Sequence, residues 1–187
     1  MPLARRVMMY QAAAGGGSTE VTFYADASDE TLGYASSSTA AYIVAANDYG
    51  ESELRTAHVY FNIGTTIGAG TITAATISWY NYNYNATGKS TTEIGAIDVY
   101  DGDGTTFEEI YYMADGEYVD DTTIEHELTE AELAYLGTGS LNNGSYDTEF
   151  RWRVPEPDTS QTRQWDISAF EDFTRQEARL VVTYTPA

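Results

Sequence analysis

The stretch AHVYFNIGTTIGAGTITAATISWYNYNY, residues 57–84, decides the fold. In its first half Ala57, Val59, Phe61 and Ile63 alternate with His58, Tyr60 and Asn62, the period of two that sends every second side chain to one face of a sheet. In its second half Ala75, Ile77 and Trp79 alternate with Thr76, Ser78 and Tyr80 in the same way. Two amphipathic strands sharing one core are expected. Residues 64–70 between them are rich in Gly and Thr and carry no helical period, so they read as a loop crossing the end of a sandwich.

Further strand signals stand on both sides of this pair. Val21 to Ala25 and Tyr42 to Ala45 precede it; Ile94 to Tyr100, Phe107 to Met113, Tyr146 to Val154, Gln164 to Ile167 and Ala178 to Tyr184 follow, at the spacing of a sandwich. Two capping boxes interrupt the pattern. Thr129 with Glu132 opens a short helix from Glu130 to Leu136, and Ser168 with Glu171 opens one from Ala169 to Phe173. Both are too short to form a layer and are expected to cap the open ends, with Leu133, Leu136, Phe170 and Phe173 inward. The fold class is therefore all-β, a β-sandwich with two short capping helices.

Residues 1–18 differ in composition from residues 19–187. They carry Arg5 and Arg6, no acid, and end in Ala12-Ala13-Ala14 and Gly15-Gly16-Gly17, a flexible joint. The apolar patch from Val7 to Tyr10 is shorter than the roughly 7 to 15 residues of a signal-peptide core. An extended N-terminal arm, with Arg5 and Arg6 contacting an acidic neighbouring subunit, is the expectation. The remainder forms one domain.

A chain of 187 residues can bury roughly 70% of its unfolded surface without covalent staples. There is no cysteine, which removes disulfides, thiolate metal sites and thiol nucleophiles. Against 29 acidic residues stand 9 basic ones, of which only Lys89 is a lysine; the formal net charge is -20 and the pI about 4.1. So negative a surface repels nucleic-acid phosphates and anionic membranes. Acidic surplus with a single lysine also suits a protein kept soluble in high salt, where charges are screened over about 3 Å at molar ionic strength.

The segment FNIGTTIGAGTITAATISWY, Phe61 to Tyr80, together with the terminal ARLVVTYT, Ala178 to Thr185, resembles the jelly-roll domains of bacterial and viral proteins related to carbohydrate-binding modules, sometimes called DNRLRE-like. Asn62 stands where that family usually has an acid. WDISAF, Trp165 to Phe170, is similar to the family's stretch before its late helix. The resemblance implies a jelly-roll sandwich and no particular activity, because its motifs report packing.

Candidate chemistry is sparse. His58 and His126 are the two histidines, and His126 in IEHELTE has no second histidine four residues on, so a zinc-protease helix is not available. Both read as surface or sheet-face histidines. Asp101 and Asp103 in Asp-Gly-Asp-Gly are the metal candidates, for a structural calcium or magnesium ion, beside the simpler reading of a hairpin turn. Asp26, Asp29, Glu30, Asp120 and Asp121 are weaker ion candidates. In Tyr80-Asn81-Tyr82-Asn83-Tyr84-Asn85 the tyrosines are expected on one face and the asparagines on the other, a ladder for a subunit contact or a host glycan. Arg151, Trp152 and Arg153 are expected at an interchain contact, where scarce arginines would meet carboxylates. These readings combine into a non-enzymatic structural protein of a viral particle, such as a capsid decoration, turret or tail accessory. Its expected partners are other virion proteins, a major capsid protein among them, and further copies of itself, with a trimer as one such state. Its expected place is the virion, outside the cell and in high salt. The alternative is a carbohydrate-binding module for host attachment through Tyr80, Tyr82 and Tyr84.

Overall fold

The computed structural model describes residues 8–10, 17–25, 30–32, 42–47, 54–87, 93–100, 107–114, 117–137, 147–154, 162–168 and 178–187. The strands are β1 (Met8–Tyr10), β2 (Thr19–Tyr24), β3 (Glu30–Leu32), β4 (Tyr42–Asn47), β5 (Leu54–Phe61), β6 (Thr71–Thr87), β7 (Glu93–Tyr100), β8 (Phe107–Ala114), β9 (Thr122–Glu127), β10 (Thr148–Arg153), β11 (Thr162–Ser168) and β12 (Arg179–Thr185). Every pairing among the described residues is antiparallel.

Eight of these strands give the architecture. Thr76, Ile77 and Ser78 of β6 pair with β12 and also with β9, which places those two strands on opposite edges of β6. One sheet therefore runs β2-β12-β6-β9, and the other runs β5-β10-β7-β8. In chain order the eight strands pass from sheet to sheet except at the β7–β8 hairpin. That order is the jelly roll. The remaining strands are additions: β11 follows β12 along the same edge of β6 and carries β4, and β3 pairs with β5.

The core lies between the sheets and is built from the inward alternates anticipated in the sequence. Ala57, Val59 and Phe61 of β5 face Ala75, Ile77 and Trp79 of β6, joined by Leu180 and Val182 of β12 and by Phe150 and Trp152 of β10, all buried. Its aromatic rings meet edge to face: Trp79 lies 6.0 Å from Trp152 and 5.4 Å from Tyr111, and Phe61 lies 5.9 Å from Phe150. Gly95 in β7 allows the closest approach. A Cβ there would lie 2.4 Å from the Arg153 carbonyl oxygen and 2.8 Å from the Trp165 ring.

Among the described residues the structure departs from the sequence reading at β3, which was not expected as a strand, and in four further places. First, residues 64–67, read as loop, form a one-turn helix α1 (Gly64–Ile67). The Asp147 carboxylate accepts hydrogen bonds from the Ile63 and Gly64 amides at 2.9 and 2.6 Å, so the cap comes from far along the chain and leaves no local signal. Second, β9 was not anticipated: Thr-Thr-Ile-Glu-His-Glu is mostly polar and sits at the sheet edge, where one apolar residue suffices. Third, β6 runs through Thr87, although Ala86-Thr87-Gly88-Lys89 reads from the sequence as a turn. Fourth, Met8–Tyr10 of the N-terminal arm forms a strand on the chain's own β2.

The first expected helix is present as α2 (Glu130–Leu133), with both halves of the Thr129/Glu132 capping box formed and Leu136 buried. The second, at residues 169–173, lies outside the described residues. No helix among the described residues is long and apolar enough to cross a membrane.

Candidate functional site

The densest set of polar contacts lies on the face of the second sheet that points away from the core. Alternation dictates its membership. With Phe150 and Trp152 of β10 inward, Glu149, Arg151 and Arg153 point outward; the same parity turns out His58 and Tyr60 of β5 and Asp98 and Tyr100 of β7. The register then sets Arg151 between His58 on one side and Asp98 on the other, and Asp98 opposite Glu109 of β8.

Asp98, 1% exposed, is clamped by two guanidinium groups. Arg151 donates from Nε at 2.8 Å, and Arg153 donates from Nε to both carboxylate oxygens at 3.1 and 3.0 Å while its Nη2 reaches Glu109. Burial opposes the charge of Arg153, but Asp98 and then Glu109 outweigh it and move its pKa upward. Phe107 joins the ionic and aromatic parts, with the Arg151 Cζ 4.0 Å from its ring centre and Tyr100 5.4 Å away.

His58 sits beside this clamp. Its Nδ1 pairs with Glu149 Oε1, and its Nε2 lies 2.8 Å from the Thr56 hydroxyl; a tautomer with the proton on Nδ1 satisfies both contacts at once. Hydroxyl, imidazole and carboxylate in a line is also the order of a nucleophile relay. Here His58 is 4% exposed, its ring stacked on Tyr60 at 6.3 Å and edge-on to Phe107 at 6.0 Å. Sealed in this way, it acts as a packing group. Tyr60 and Tyr100 are themselves buried and with Phe107 form a small second core on this face.

The residues singled out from sequence are dispersed. Arg151 and Arg153 were expected to meet carboxylates at an interchain contact; within the chain they meet Asp98 and Glu109. Trp152 is fully buried in the core and offers no contact surface. Of the tyrosine ladder, Tyr80 is half-buried and donates from its hydroxyl to Asp121 at 3.2 Å. Asn81 does not flank a sugar platform: it is fully buried, and its Oδ1 accepts 3.1 Å hydrogen bonds from the indole N–H groups of both Trp79 and Trp165. The β6–β11 register shifts just beyond, so the period of two is interrupted between Asn81 and Asn83. The side chains of Tyr82 and Tyr84 lie outside the described residues, as do Arg5, Arg6, Asp101, Asp103, Asp26 and Asp29 and the side chain of Glu30. His126 lies on β9 with its ring 5.3 Å from Tyr111 and its Nε2 3.5 Å from Glu132. Asp120 and Asp121 are exposed; desolvation first, then the Asp120 hydrogen bond, drives the Tyr118 hydroxyl pKa upward. Among the described residues no group of three or more His, Asp or Glu is placed to hold a metal ion.

Asp98, Glu149, Thr56 and Glu109 were not anticipated. Asp98 did leave a trace, as a charged residue at mid-strand between Ile97 and Val99, a position that calls for a cation on the adjoining strand. The chain matches no protein-family model and no curated protein.

Proposed function

We propose that the chain is a non-enzymatic structural component of a viral particle, a jelly-roll building block that binds neighbouring subunits. The observation that carries this reading is the self-sufficiency of the outer face of the second sheet. Its charged and aromatic groups are matched to one another: Asp98 to Arg151 and Arg153, and Glu149 to His58. On β12, Arg179 is likewise held by Glu125. Groups held so tightly are suited to rigidity and ill placed to take part in a reaction.

The excess of carboxylates, 29 acidic residues against 9 basic ones, suits a particle in high salt. The basic N-terminal segment is the part of the sequence complementary to that acidity. The viral setting rests on the resemblance of residues 61–80 and 178–185 to viral and bacterial jelly-roll domains. Deletion of residues 1–17 tests the reading: the truncated chain should fold, by circular dichroism, yet be missing from purified particles. Normal incorporation of the truncated chain would refute it. Retention on a glycan array that Tyr82→Ala abolishes would favour attachment to host sugars instead.

A further inference from the structure

We propose that β1 is an exchangeable strand, which pairs with β2 of a second copy of this chain as well as with its own. The inference rests on the reading that the N-terminal segment binds neighbours, and names what it binds: the backbone edge of the first sheet.

Three observations carry it. The first is the pairing itself. Met8, Met9 and Tyr10 meet Thr22, Val21 and Glu20, and β2 is the strand neighbour of β1. Backbone hydrogen bonds of this kind are identical whether the added strand comes from the same chain or from another copy, because β2 presents the same row of N–H and C=O groups to either.

The second is the connection. A hairpin is held together by a tight turn of about two to five residues, which forces the two strands to belong to one chain. Here residues 11–18 intervene, eight in number and including Ala12-Ala13-Ala14 and Gly15-Gly16-Gly17. At about 3.3–3.6 Å per residue, eight residues can span at most roughly 27 Å, a reach that does not by itself tie β1 to its own chain. Three glycines permit the change of direction at no steric cost.

The third is charge. Residues 1–18 carry Arg5 and Arg6 and no acid, whereas residues 19–187 carry all 29 acidic residues against seven basic ones. Any copy's body therefore attracts any copy's arm, while the bodies repel one another. Exchange brings a positive segment between two negative surfaces.

The native chain has no cysteine, so introduced thiols report the pairing without interference. Tyr10 and Glu20 are register partners, and directly opposed residues in an antiparallel ladder lie about 4.5–5.5 Å apart, within disulfide reach. The full-length Tyr10→Cys and Glu20→Cys variants are refolded together at increasing concentration up to about 1 mM, where a neighbour's strand competes with the tethered one, then oxidised and run on a non-reducing gel. Exchange predicts a Tyr10→Cys/Glu20→Cys heterodimer that rises with concentration and exceeds either homodimer. The double variant Tyr10→Cys/Glu20→Cys checks the register within one chain. A mixture that stays monomeric at every concentration, whether or not the double variant closes on itself, overturns the proposal. Particles play no part in this experiment, so a chain that proves to be no virion component leaves its outcome unaffected. Equally, an arm essential for incorporation but never exchanged would sink the exchange alone.

Discussion

The two faces of β10 are held by opposite kinds of force. Phe150 and Trp152 face the other sheet and are packed among aliphatic and aromatic residues; Glu149, Arg151 and Arg153, one residue out of phase, face an ionic and aromatic layer. The inner face gains from burial that needs no particular partner, at about 25 cal/mol per Å² of apolar surface. The outer face gains only from particular partners, since a carboxylate as buried as Asp98 is costly unless cations meet it. The comparison teaches that the first face tolerates repacking, whereas the second is sensitive to the loss of its buried member, Asp98.

The largest effect is expected from Trp79→Ala, which removes a fully buried indole and leaves the Asn81 carbonyl with one donor in place of two; a loss of about 3–5 kcal/mol in urea denaturation is predicted. Asp98→Ala comes next. It strands two guanidinium groups, and because both arginines keep some contact with water the cost should fall near about 2–3 kcal/mol, below that of a fully buried pair. Replacing Asp98 by Leu together with Arg151 by Met should recover much of that loss. If the double variant is as unstable as Asp98→Ala, the outer face is held by something other than charge matching.

Glu109 is half exposed, so Glu109→Gln should cost under about 1 kcal/mol, and the difference should shrink further in molar salt. Tyr118→Phe should cost no more than about 1 kcal/mol at neutral pH, through loss of the hydrogen bond to Asp120. Desolvation holds the folded hydroxyl pKa above its ordinary value of 10.0, so the folded state keeps a proton that the unfolded chain releases. Stability should therefore be full below about pH 10 and fall as pH rises beyond it. Phe at this position should flatten that alkaline slope in thermal melts. An unchanged slope would assign the effect elsewhere, with Tyr111, also raised by burial, as the next group to replace.

The inner face was legible because it obeys a period: Ala57, Val59 and Phe61 or Ala75, Ile77 and Trp79 announce their side of the sheet whatever lies opposite. The outer face was only half legible. That Arg151 and Arg153 would meet carboxylates followed from charge, but which carboxylates depended on register between strands more than 50 residues apart, as with Arg151 and Asp98. Asn81 misled for a related reason. Its polarity suggested solvent, whereas the alternation from Ala75 through Trp79 had already placed it inward, to be satisfied by two tryptophans. The cap on α1 from Asp147 and the polar edge strand β9 were hidden alike, since long-range partners leave no local pattern.

Arg151, Arg153 and Arg179 are paired with carboxylates of their own chain, and on the proposed reading association belongs to the N-terminal segment. The direct test is to compare two variants in purified particles, the deletion of residues 1–17 and the pair Arg151→Gln/Arg153→Gln, each first confirmed as folded. The account predicts that the deletion is absent from the particles and that the arginine pair is retained at the level of the unaltered chain. The opposite pattern, a retained deletion and a lost arginine pair, would contradict it.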